Sequence, residues 1–373
     1  MTEMQTASPP VIAPAPPARR RGTARFTEAG LVGIVLLIGL VLIIFGGSKP
    51  KFDRKTGQIT RVNKFLDIDN LDLDARNASY FAIMATGVTF VIITGGIDLS
   101  VGASYCLAAV TGAMFLNHFG PSGPSPGISP MVIVPAGILI CLGVGTLCGL
   151  LNGLGVVLLR IHPFVITLGT MAIFRGIAFV MSKAQSFGRF PPQFTDGLIR
   201  YKLLGHLYPV PMAIMVGVVI IASVYLRYFV AGRQIFAVGG NEQAARFSGL
   251  PVNRIKLRVY MLCGLSTGIA AVIMLGVFGA ASSATGNGYE LDVIAAAVVG
   301  GASLTGGRGT ALGALLGALI IQLIDNGIII LDRDPNYSQI IIGTVIIVAV
   351  WLERINSDLR QRRLSRSAQL GSV

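Results

Sequence analysis

The feature that most constrains this chain of 373 residues is a close succession of long apolar segments. A helix needs about 20 apolar residues to cross a bilayer, and inside lipid only helices and closed barrels satisfy their own backbone hydrogen bonds. Charged residues make up 13% of the chain, roughly half the share in a soluble protein. We therefore predict an all-α, polytopic integral membrane protein with about ten transmembrane helices, at residues 30–45, 78–94, 98–117, 131–157, 161–182, 209–229, 257–280, 289–305, 309–331 and 336–352.

The polar segments divide the chain into a membrane domain and two tails. Residues 1–27, rich in Pro, Ala and Arg, predict a disordered cytoplasmic tail, and residues 354–373 predict a basic cytoplasmic tail. Between them we predict a transmembrane domain at 28–353, with an external polar loop at 46–77 and a cytoplasmic loop at 230–256. With both termini inside, the cytoplasmic loops hold a modest excess of Lys and Arg, as the positive-inside rule expects.

Composition and motifs argue against several classes of function. The net charge of +13 does not form a basic stripe interleaved with aromatic residues, so we predict no nucleic-acid binding. The four cysteines lie singly in apolar runs and the three histidines are scattered, so we expect no metal site and no cofactor. The chain has no P-loop motif and no nucleophile elbow, and we predict that it is not an enzyme.

The longest predicted cytoplasmic loop carries a short helix with a signal at each end. Asn241 suits the N-cap and Glu242 the first turn, while Gly249 suits the position after the helix and Pro251 prevents its continuation. We predict a helix at 242–248, which is either an ordinary surface helix or a docking helix for a cytoplasmic partner. The candidate docking residues are Gly240, Asn241, Glu242, Ala244, Ala245, Arg246 and Gly249.

A second motif interrupts the apolar segments at residues 94–102. Gly95 and Gly96 break a helix, Asp98 or Ser100 can cap the next one, and Gly102 ends the motif. An acidic residue near the membrane interior indicates a functional site, and broken helices commonly build polar substrate sites in transporters. The alternative is that Asp98 is a satisfied N-cap near the cytoplasmic surface.

A third motif repeats the second at an offset of 205 residues. Residues 95–102 and 300–307 both fit G-G-x-[DS]-L-[ST]-x-G, which favours a pseudo-repeat of two halves, as in many transporters. Glu290 and Asp292 precede this motif and suit the first turn of a helix. Segment 289–305 is either a full span or a half-helix. The helix-break residues of the third motif are Gly300, Gly301, Ser303, Gly306 and Gly307.

Two glycine ladders predict close helix packing. Their residues are Gly145, Gly149 and Gly153 in one apolar run, and Gly309, Gly313 and Gly317 in another. Small residues four positions apart let two helix backbones approach closely in a membrane. The ladders therefore indicate compactness and carry no information about a substrate.

Four segments, in order, carry a resemblance to a known family. Residues 92–102, 163–176, 239–246 and 289–310 (followed by 325–327) are similar to signatures of the permease subunits of bacterial ATP-binding cassette importers of the ribose, xylose and arabinose type, the second carbohydrate-uptake family. The resemblance covers about residues 78–353. The N-terminal tail and the charged stretch 46–64 look like additions to the family pattern, and their role stays open.

The resemblance implies a function and a set of partners. The chain would translocate a monosaccharide (a pentose, a hexose or a related polyol) across the bacterial plasma membrane, surrounded by membrane lipid. A periplasmic or extracellular binding protein would deliver the sugar, and a cytoplasmic ATPase subunit with P-loop domains would dock at 240–248. A second permease subunit would complete a homo- or heterodimer. The pathway, between or within the subunits, would include Asp98, Asn152, Thr167 and Asn326.

Three other functions compete with this one. An ion-coupled secondary transporter of a small polar solute is the main alternative, and the capped loop helix and the sparse acids within the spans count against it. An intramembrane enzyme would need His, Asp or Glu clustered at one site, and no such cluster is visible. A structural scaffold would have no need of broken helices.

Overall fold

The computed structural model describes residues 22–52, 59–121, 123–203, 208–351 and 355, and is built mainly from helices. The long helices are α1 (Gly22–Phe45), α2 (Ile68–Ile93), α3 (Val101–His118), α4 (Pro130–Leu159), α5 (Pro163–Ser182), α7 (Pro209–Tyr228), α10 (Val252–Phe278) and α12 (Ala311–Ile330). The shorter ones are α6 (Pro192–Phe194), continued by a π-helical turn (Thr195–Ile199), α8 (Val230–Gly240), α9 (Glu242–Phe247), α11 (Tyr289–Val299) and α13 (Tyr337–Trp351). Two small antiparallel sheets pair β1 (Ser48–Phe52) with β2 (Ile59–Asn63), and β3 (Phe187–Gly188) with β4 (Ala280–Ala281).

Seven helices in the described part of the chain are long and apolar enough to cross a membrane, namely α1, α2, α4, α5, α7, α10 and α12. The other three predicted spans are shorter or less apolar. Helix α3 has 18 residues and includes several polar ones, and α13 is a shorter apolar helix. Helix α11 has 11 residues, about 16 Å at 1.5 Å per residue. The all-α, polytopic prediction is confirmed, and segment 289–305 contains a half-helix in place of a full span.

Segment 46–77, predicted as an external polar loop, contains the β1–β2 hairpin and the first residues of α2. Lys49 and Lys51 of this segment both contact the Asp67 carboxylate. Burial alone would raise the pKa of Asp67, but hydrogen bonds from the two lysines outweigh it and hold that pKa below its ordinary value. The ionised carboxylate therefore anchors the hairpin to the start of α2.

Helix α1 begins at Gly22, so residues 22–27 of the predicted tail are helical. Residues 1–21 and, apart from 355, residues 352–373 lie outside the described residues, and the predicted tails stay predictions there. The helix packs against α12, where Leu31 meets Leu316 and Ile320. It therefore joins the membrane domain along one edge.

Burial separates central spans from peripheral ones. The most apolar windows of α2, α10 and α12 are 89%, 72% and 61% buried, against 11% for α1 and 17% for α5. Many exposed residues of the peripheral spans are large and apolar, which suits contact with lipid tails. Helices α2, α10 and α12 therefore form the core on which the candidate site is built.

The first glycine ladder is confirmed as a close contact between α4 and α10. A Cβ at Gly145 would lie 2.7 Å from the amide nitrogen of Gly268, and one at Gly149 would overlap the carbonyl oxygen of Tyr260. Gly264 faces the same ladder from α10, and a Cβ there would overlap the backbone of α4. The two helices thus touch backbone to backbone, as small residues allow in membranes.

The second ladder packs α12 against α11. A Cβ at Gly313 would overlap the carbonyl oxygen of Gly300, and one at Gly317 would overlap that of Ala296. Gly309, the first residue of the predicted ladder, precedes α12 and contacts α2 instead. The half-helix is therefore held against a central span by backbone contact.

We expect Gly149→Ala to destabilise the protein and Gly143→Ala to leave it equally or more stable. Both substitutions are in α4 and gain the same helix propensity, roughly 1 kcal/mol. A Cβ on Gly149 overlaps the Tyr260 carbonyl, whereas nothing lies within 4 Å of one on Gly143, and overpacking costs about 1–3 kcal/mol. Thermal unfolding midpoints of the purified variants in detergent measure the difference, and equal midpoints would contradict the contact.

Candidate functional site

The first break, at residues 94–100, separates α2 from α3. The chain leaves α2 through hydrogen bonds from Gly95 N to Ile92 O (2.9 Å) and from Gly96 N to Val91 O (3.1 Å). Gly95 has a φ of +79°, a conformation that favours glycine. Most of the segment is buried, which is the condition under which non-helical backbone is tolerated at membrane depth.

Asp98 is an interior carboxylate that orders this break. It is 2% exposed, and its Oδ1 accepts hydrogen bonds from Ser100 N (2.9 Å) and Ser100 Oγ (2.7 Å). Asn152 Nδ2 lies 3.4 Å from both carboxylate oxygens, and Cys263 Sγ donates to Oδ2 at 3.6 Å. Ser100 occupies the N-cap position of α3. Asp98 thus lies two residues before the cap, enclosed by helices.

Asn152 of α4 connects this carboxylate to two further elements. Its Nδ2 donates to Ser100 Oγ at 2.7 Å, and its Oδ1 accepts from Thr170 Oγ1 of α5 at 2.6 Å. An amide side chain donates and accepts at the same time, so Asn152 is satisfied on both sides. The structure therefore brings together two of the four predicted pathway residues, Asp98 and Asn152.

Thr167, a third predicted pathway residue, contacts the backbone of the same break. Its Oγ1 lies 3.3 Å from the carbonyl oxygen of Ile97. Tyr260 OH of α10 donates to that carbonyl at 3.4 Å. The members of this Asp98 cluster that the sequence does not reveal are Tyr260, Thr170 and Cys263, because single hydroxyl and thiol groups within apolar runs give no distinctive pattern.

Asn326, the fourth predicted pathway residue, belongs to a different polar cluster. Its Nδ2 donates to Asn70 Oδ1 of α2 at 3.2 Å, and Asp74, one turn further along α2, is also buried. Near this end of α12, Lys64 of the hairpin segment donates to the carbonyl oxygen of Ile330 at 3.2 Å. This cluster therefore lies toward the predicted external side.

Helix α11 begins against the start of α3. Glu290 and Asp292 occupy its first turn, as predicted. A Cβ at Gly102 would lie 2.5 Å from Glu290 Oε2 and 2.8 Å from the carbonyl oxygen of Gly286. The Glu290 carboxylate is thus close to the N-terminal end of α3, where the helix dipole favours negative charge.

The second break, between α11 and α12, shares a local feature with the first. Gly301 follows α11 with a φ of +90°, and Ser303 Oγ and Thr305 Oγ1 lie 2.8 Å apart. At the offset of 205 residues, these two positions correspond to Asp98 and Ser100, whose side chains also bond to each other. The shared hydrogen bond between side chains two residues apart supports the hypothesis of a pseudo-repeat.

Arg175 of α5 holds the turn that leads into α11. Its guanidinium donates to the carbonyl oxygens of Ser283 (3.2 Å), Thr285 (2.7 Å) and Gly286 (3.0 Å). A charged side chain inside a membrane span needs such partners. The sequence shows an arginine within a predicted span, but only the fold reveals that its partners are carbonyl groups more than 100 residues away.

The predicted loop helix is present as α9, one residue shorter than expected. Asn241 Oδ1 accepts from Ala244 N at 2.9 Å, as an N-cap residue does, and Gly249 follows the helix with a φ of +78°. Ala245 is buried against the protein, whereas Ala244 is exposed. The helix therefore begins and ends where its capping residues predict.

One end of α9 is fixed and the other is exposed. Glu242 accepts hydrogen bonds from Arg246 Nη2 (3.0 Å) and from Lys256 Nζ of α10 (2.8 Å). Burial alone would raise the pKa of Glu242, but these two bonds hold that pKa below its ordinary value. At the other end, Phe247 is 91% exposed. Exposed aromatic side chains are typical anchors of protein interfaces.

A partly enclosed cavity of about 200 Å³ lies between α9 and the first break. Its lining residues are Thr94, Gly95, Gly96, Val156, His162, Pro163, Glu242, Lys256 and Tyr260. Tyr260 lines the cavity and also bonds to the Ile97 carbonyl. The cavity therefore lies between the loop helix and the Asp98 cluster.

The four cysteines are all buried and none forms a disulfide. Among the described residues, no group of three or more His, Cys, Asp or Glu side chains could hold a metal ion. Of these thiols, Cys263 contacts the Asp98 carboxylate. The cysteines thus serve the interior of the protein as small buried groups.

The chain matches one protein-family model, described as branched-chain amino acid transport system / permease component, over residues 73–350. The ribose import permease protein RbsC of Escherichia coli K12 is 35% identical over 334 residues, which are 89% of this chain and 97% of that relative. The RbsC protein of Bacillus subtilis 168 is 36% identical over 298 residues, 79% of this chain and 87% of the relative. The D-allose transport system permease protein AlsC of E. coli K12 is 34% identical over 325 residues, 87% of this chain and 92% of the relative. No solved structure matches the chain.

We expect Asp98→Asn to destabilise the protein and Asp334→Asn to leave it unchanged. Both carboxylates accept a hydrogen bond from the backbone amide two residues later, but Asp98 is buried and Asp334 is exposed. An amide NH₂ in place of an oxygen leaves buried donors facing each other, at a cost of about 1–3 kcal/mol. Thermal midpoints in detergent measure the effect, and an unchanged midpoint for Asp98→Asn would mean that ordering the turn is all this side chain does.

Proposed function

The chain belongs to the family of branched-chain amino acid transport system permease components, and we propose that it is the membrane permease subunit of an ATP-binding cassette importer for a monosaccharide. The observation that carries the proposal is the similarity to ribose import permeases, which spans 97% of the E. coli protein. The chain is accordingly a multi-pass protein of the bacterial inner membrane.

The proposed substrate is a small polyhydroxylated molecule. The family description names amino acids, whereas individual relatives are named for the import or transport of ribose, D-allose and autoinducer 2. The first two of these are monosaccharides, which supports a pentose, a hexose or a related polyol as the substrate.

The proposed energy source is a cytoplasmic ATPase subunit with P-loop domains. The chain has no P-loop motif of its own, so ATP binding by that route belongs to a partner. A binding protein outside the membrane delivers the sugar, and a second permease subunit completes the transporter. Two relatives are named as the permease proteins of a transport system and of an import system, which supports this division of tasks among subunits.

The ATPase docks on α9, which serves as the coupling helix. Two capping residues, Asn241 and Gly249, define its ends, and Glu242 ties it to Lys256 of α10. A displacement of α9 is therefore passed to a central span through an ion pair. The exposed ring of Phe247 inserts into a pocket of the partner, as aromatic anchors do.

The sugar passes polar groups at two depths of the protein. Asn326 belongs to the cluster near the external side. Asp98, Asn152 and Thr167 belong to the Asp98 cluster, which is the inner one. Carboxylate, amide and hydroxyl groups are suitable partners for sugar hydroxyls. The cavity of about 200 Å³ beside Tyr260 is the route from the inner cluster to the cytoplasm.

Transport coupled to an ion gradient is the alternative. A buried carboxylate in a membrane domain is typical of ion and proton pathways, and Asp98 is such a group. In this protein, however, its oxygens accept hydrogen bonds from three neutral side chains, those of Ser100, Asn152 and Cys263. The ion-coupled alternative also gives no reason for a capped, ion-paired helix in the cytoplasmic loop.

We expect sugar uptake to depend on ATP. The protein, purified from native membranes with its ATPase and reconstituted with the binding protein into liposomes, is tested with radiolabelled pentoses and hexoses. Uptake should require ATP on the side of the ATPase and persist when ionophores collapse all ion gradients. Uptake that follows an imposed ion gradient without ATP would contradict the proposal.

We expect Phe247→Ala to weaken ATPase binding while the fold stays intact. Truncating an interface anchor costs about 2 kcal/mol or more, and 1.4 kcal/mol corresponds to about tenfold in affinity. The control is Phe278→Ala, which removes a half-exposed phenylalanine from the predicted external end of α10. Co-purification of the ATPase and thermal midpoints are compared, and equal retention of the ATPase by both variants would argue against docking at Phe247.

A further inference from the structure

Three glycine segments that are distant in sequence meet at one point beside the cytoplasmic loop. Gly307 N donates a hydrogen bond to the carbonyl oxygen of Ile93 at 2.8 Å, which joins the second break to the end of α2. A Cβ on Gly306 would lie 2.7 Å from the carbonyl oxygen of Gly239 and 3.1 Å from Gly95 N. We call these five residues, Ile93, Gly95, Gly239, Gly306 and Gly307, the glycine junction.

The junction is a contact between backbones. A Cβ on Gly239 would overlap the carbonyl oxygen of Ile93 and lie 2.6 Å from Gly307 N. By contrast, nothing lies within 4 Å of a Cβ on Gly240, the next residue along α8. A side-chain contact can absorb a small displacement by changing rotamer, whereas two backbones in contact have no such freedom.

The position of Gly239 connects the loop helix to both helix breaks. Gly239 is the penultimate residue of α8, and α9 begins at Glu242. The first break carries Asp98, and the second lies between the half-helix α11 and α12. A displacement of α9 therefore reaches two discontinuous segments through one short path.

We propose that Gly239 is a positioning residue that transmits movement of the loop helix to both helix breaks together. The hydrogen bond from Gly307 to Ile93 makes the two breaks move together. The backbone of Gly239 contacts both of them. This inference rests on the proposed function, because it assumes that a partner moves α9 when ATP binds. It adds the point of transmission, which the coupling helix alone does not identify.

The test compares Gly239→Ala with Gly217→Ala in the complete transporter. Gly217 lies within α7, and nothing lies within 4 Å of a Cβ there. Both substitutions gain the same helix propensity, whereas only Gly239→Ala disturbs the junction. Spin labels on Gln185→Cys and Asn336→Cys, two exposed positions outside the helices, report the change in separation when ATP and vanadate are added. The four native cysteines are buried and stay unlabelled.

We expect Gly217→Ala to keep the ATP-dependent change in separation and Gly239→Ala to lose it. The ATPase bound per permease should stay within about twofold of wild type for both variants, a readout that a general folding defect would lower. An ATP-dependent change that Gly239→Ala retains in full would overturn the inference. The absence of any change in the wild-type complex would count against the proposed function itself, so the two failures differ.

A second measurement tests the inference if the transporter carrying Gly239→Ala fails to assemble. Spin labels on Ala237→Cys of α8 and on Thr305→Cys, both exposed, lie on either side of the glycine junction. Their separation should be the same with and without ATP and vanadate, while the separation of the outer pair changes. A junction distance that changes along with the outer pair would show that the segments move apart, and would overturn the inference.

Discussion

Backbone that leaves a helix inside a membrane must find its hydrogen bonds within the protein, and the break at residues 94–100 imposes this requirement on its surroundings. Thr167 and Tyr260 bond to the carbonyl oxygen of Ile97, and Gly307 bonds to that of Ile93. These partners come from α5, α10 and the second break. The backbone contact of α4 with α10 belongs to the same arrangement, because closely packed helices bring Asn152 and Tyr260 to one short turn.

The elements that could be predicted from the sequence depend on local patterns. Apolar length identifies the spans, and the capping residues Asn241 and Gly249 predict the ends of α9 almost to the residue. Four-residue spacing of glycine identifies both helix contacts, although not their partners. The two similar motifs 205 residues apart correctly mark the helix breaks, because glycine and a short polar residue interrupt a helix in any context.

What could not be predicted depends on contacts between distant parts of the chain. An apolar run has the same appearance in the sequence whether it forms a full span or the half-helix α11. The difference depends on packing against the next helix, α12. Thr167 joins the Asp98 cluster and Asn326 does not, although each is a polar residue within an apolar run. The local sequence likewise does not distinguish Gly239 from Gly240. A Cβ on Gly239 would overlap another backbone, whereas one on Gly240 would meet nothing within 4 Å.

The contact between α4 and α10 also limits how such a chain can evolve. In most helix contacts, a residue that becomes larger on one helix can be accommodated by a smaller one opposite. Gly145 and Gly149 meet the backbone of α10 at Gly264 and Gly268. These opposing residues are already glycine, so neither can be replaced by a smaller one. Substitutions at this contact therefore have no compensating partner, and sequence divergence of these two helices must accumulate on the faces that point away from it.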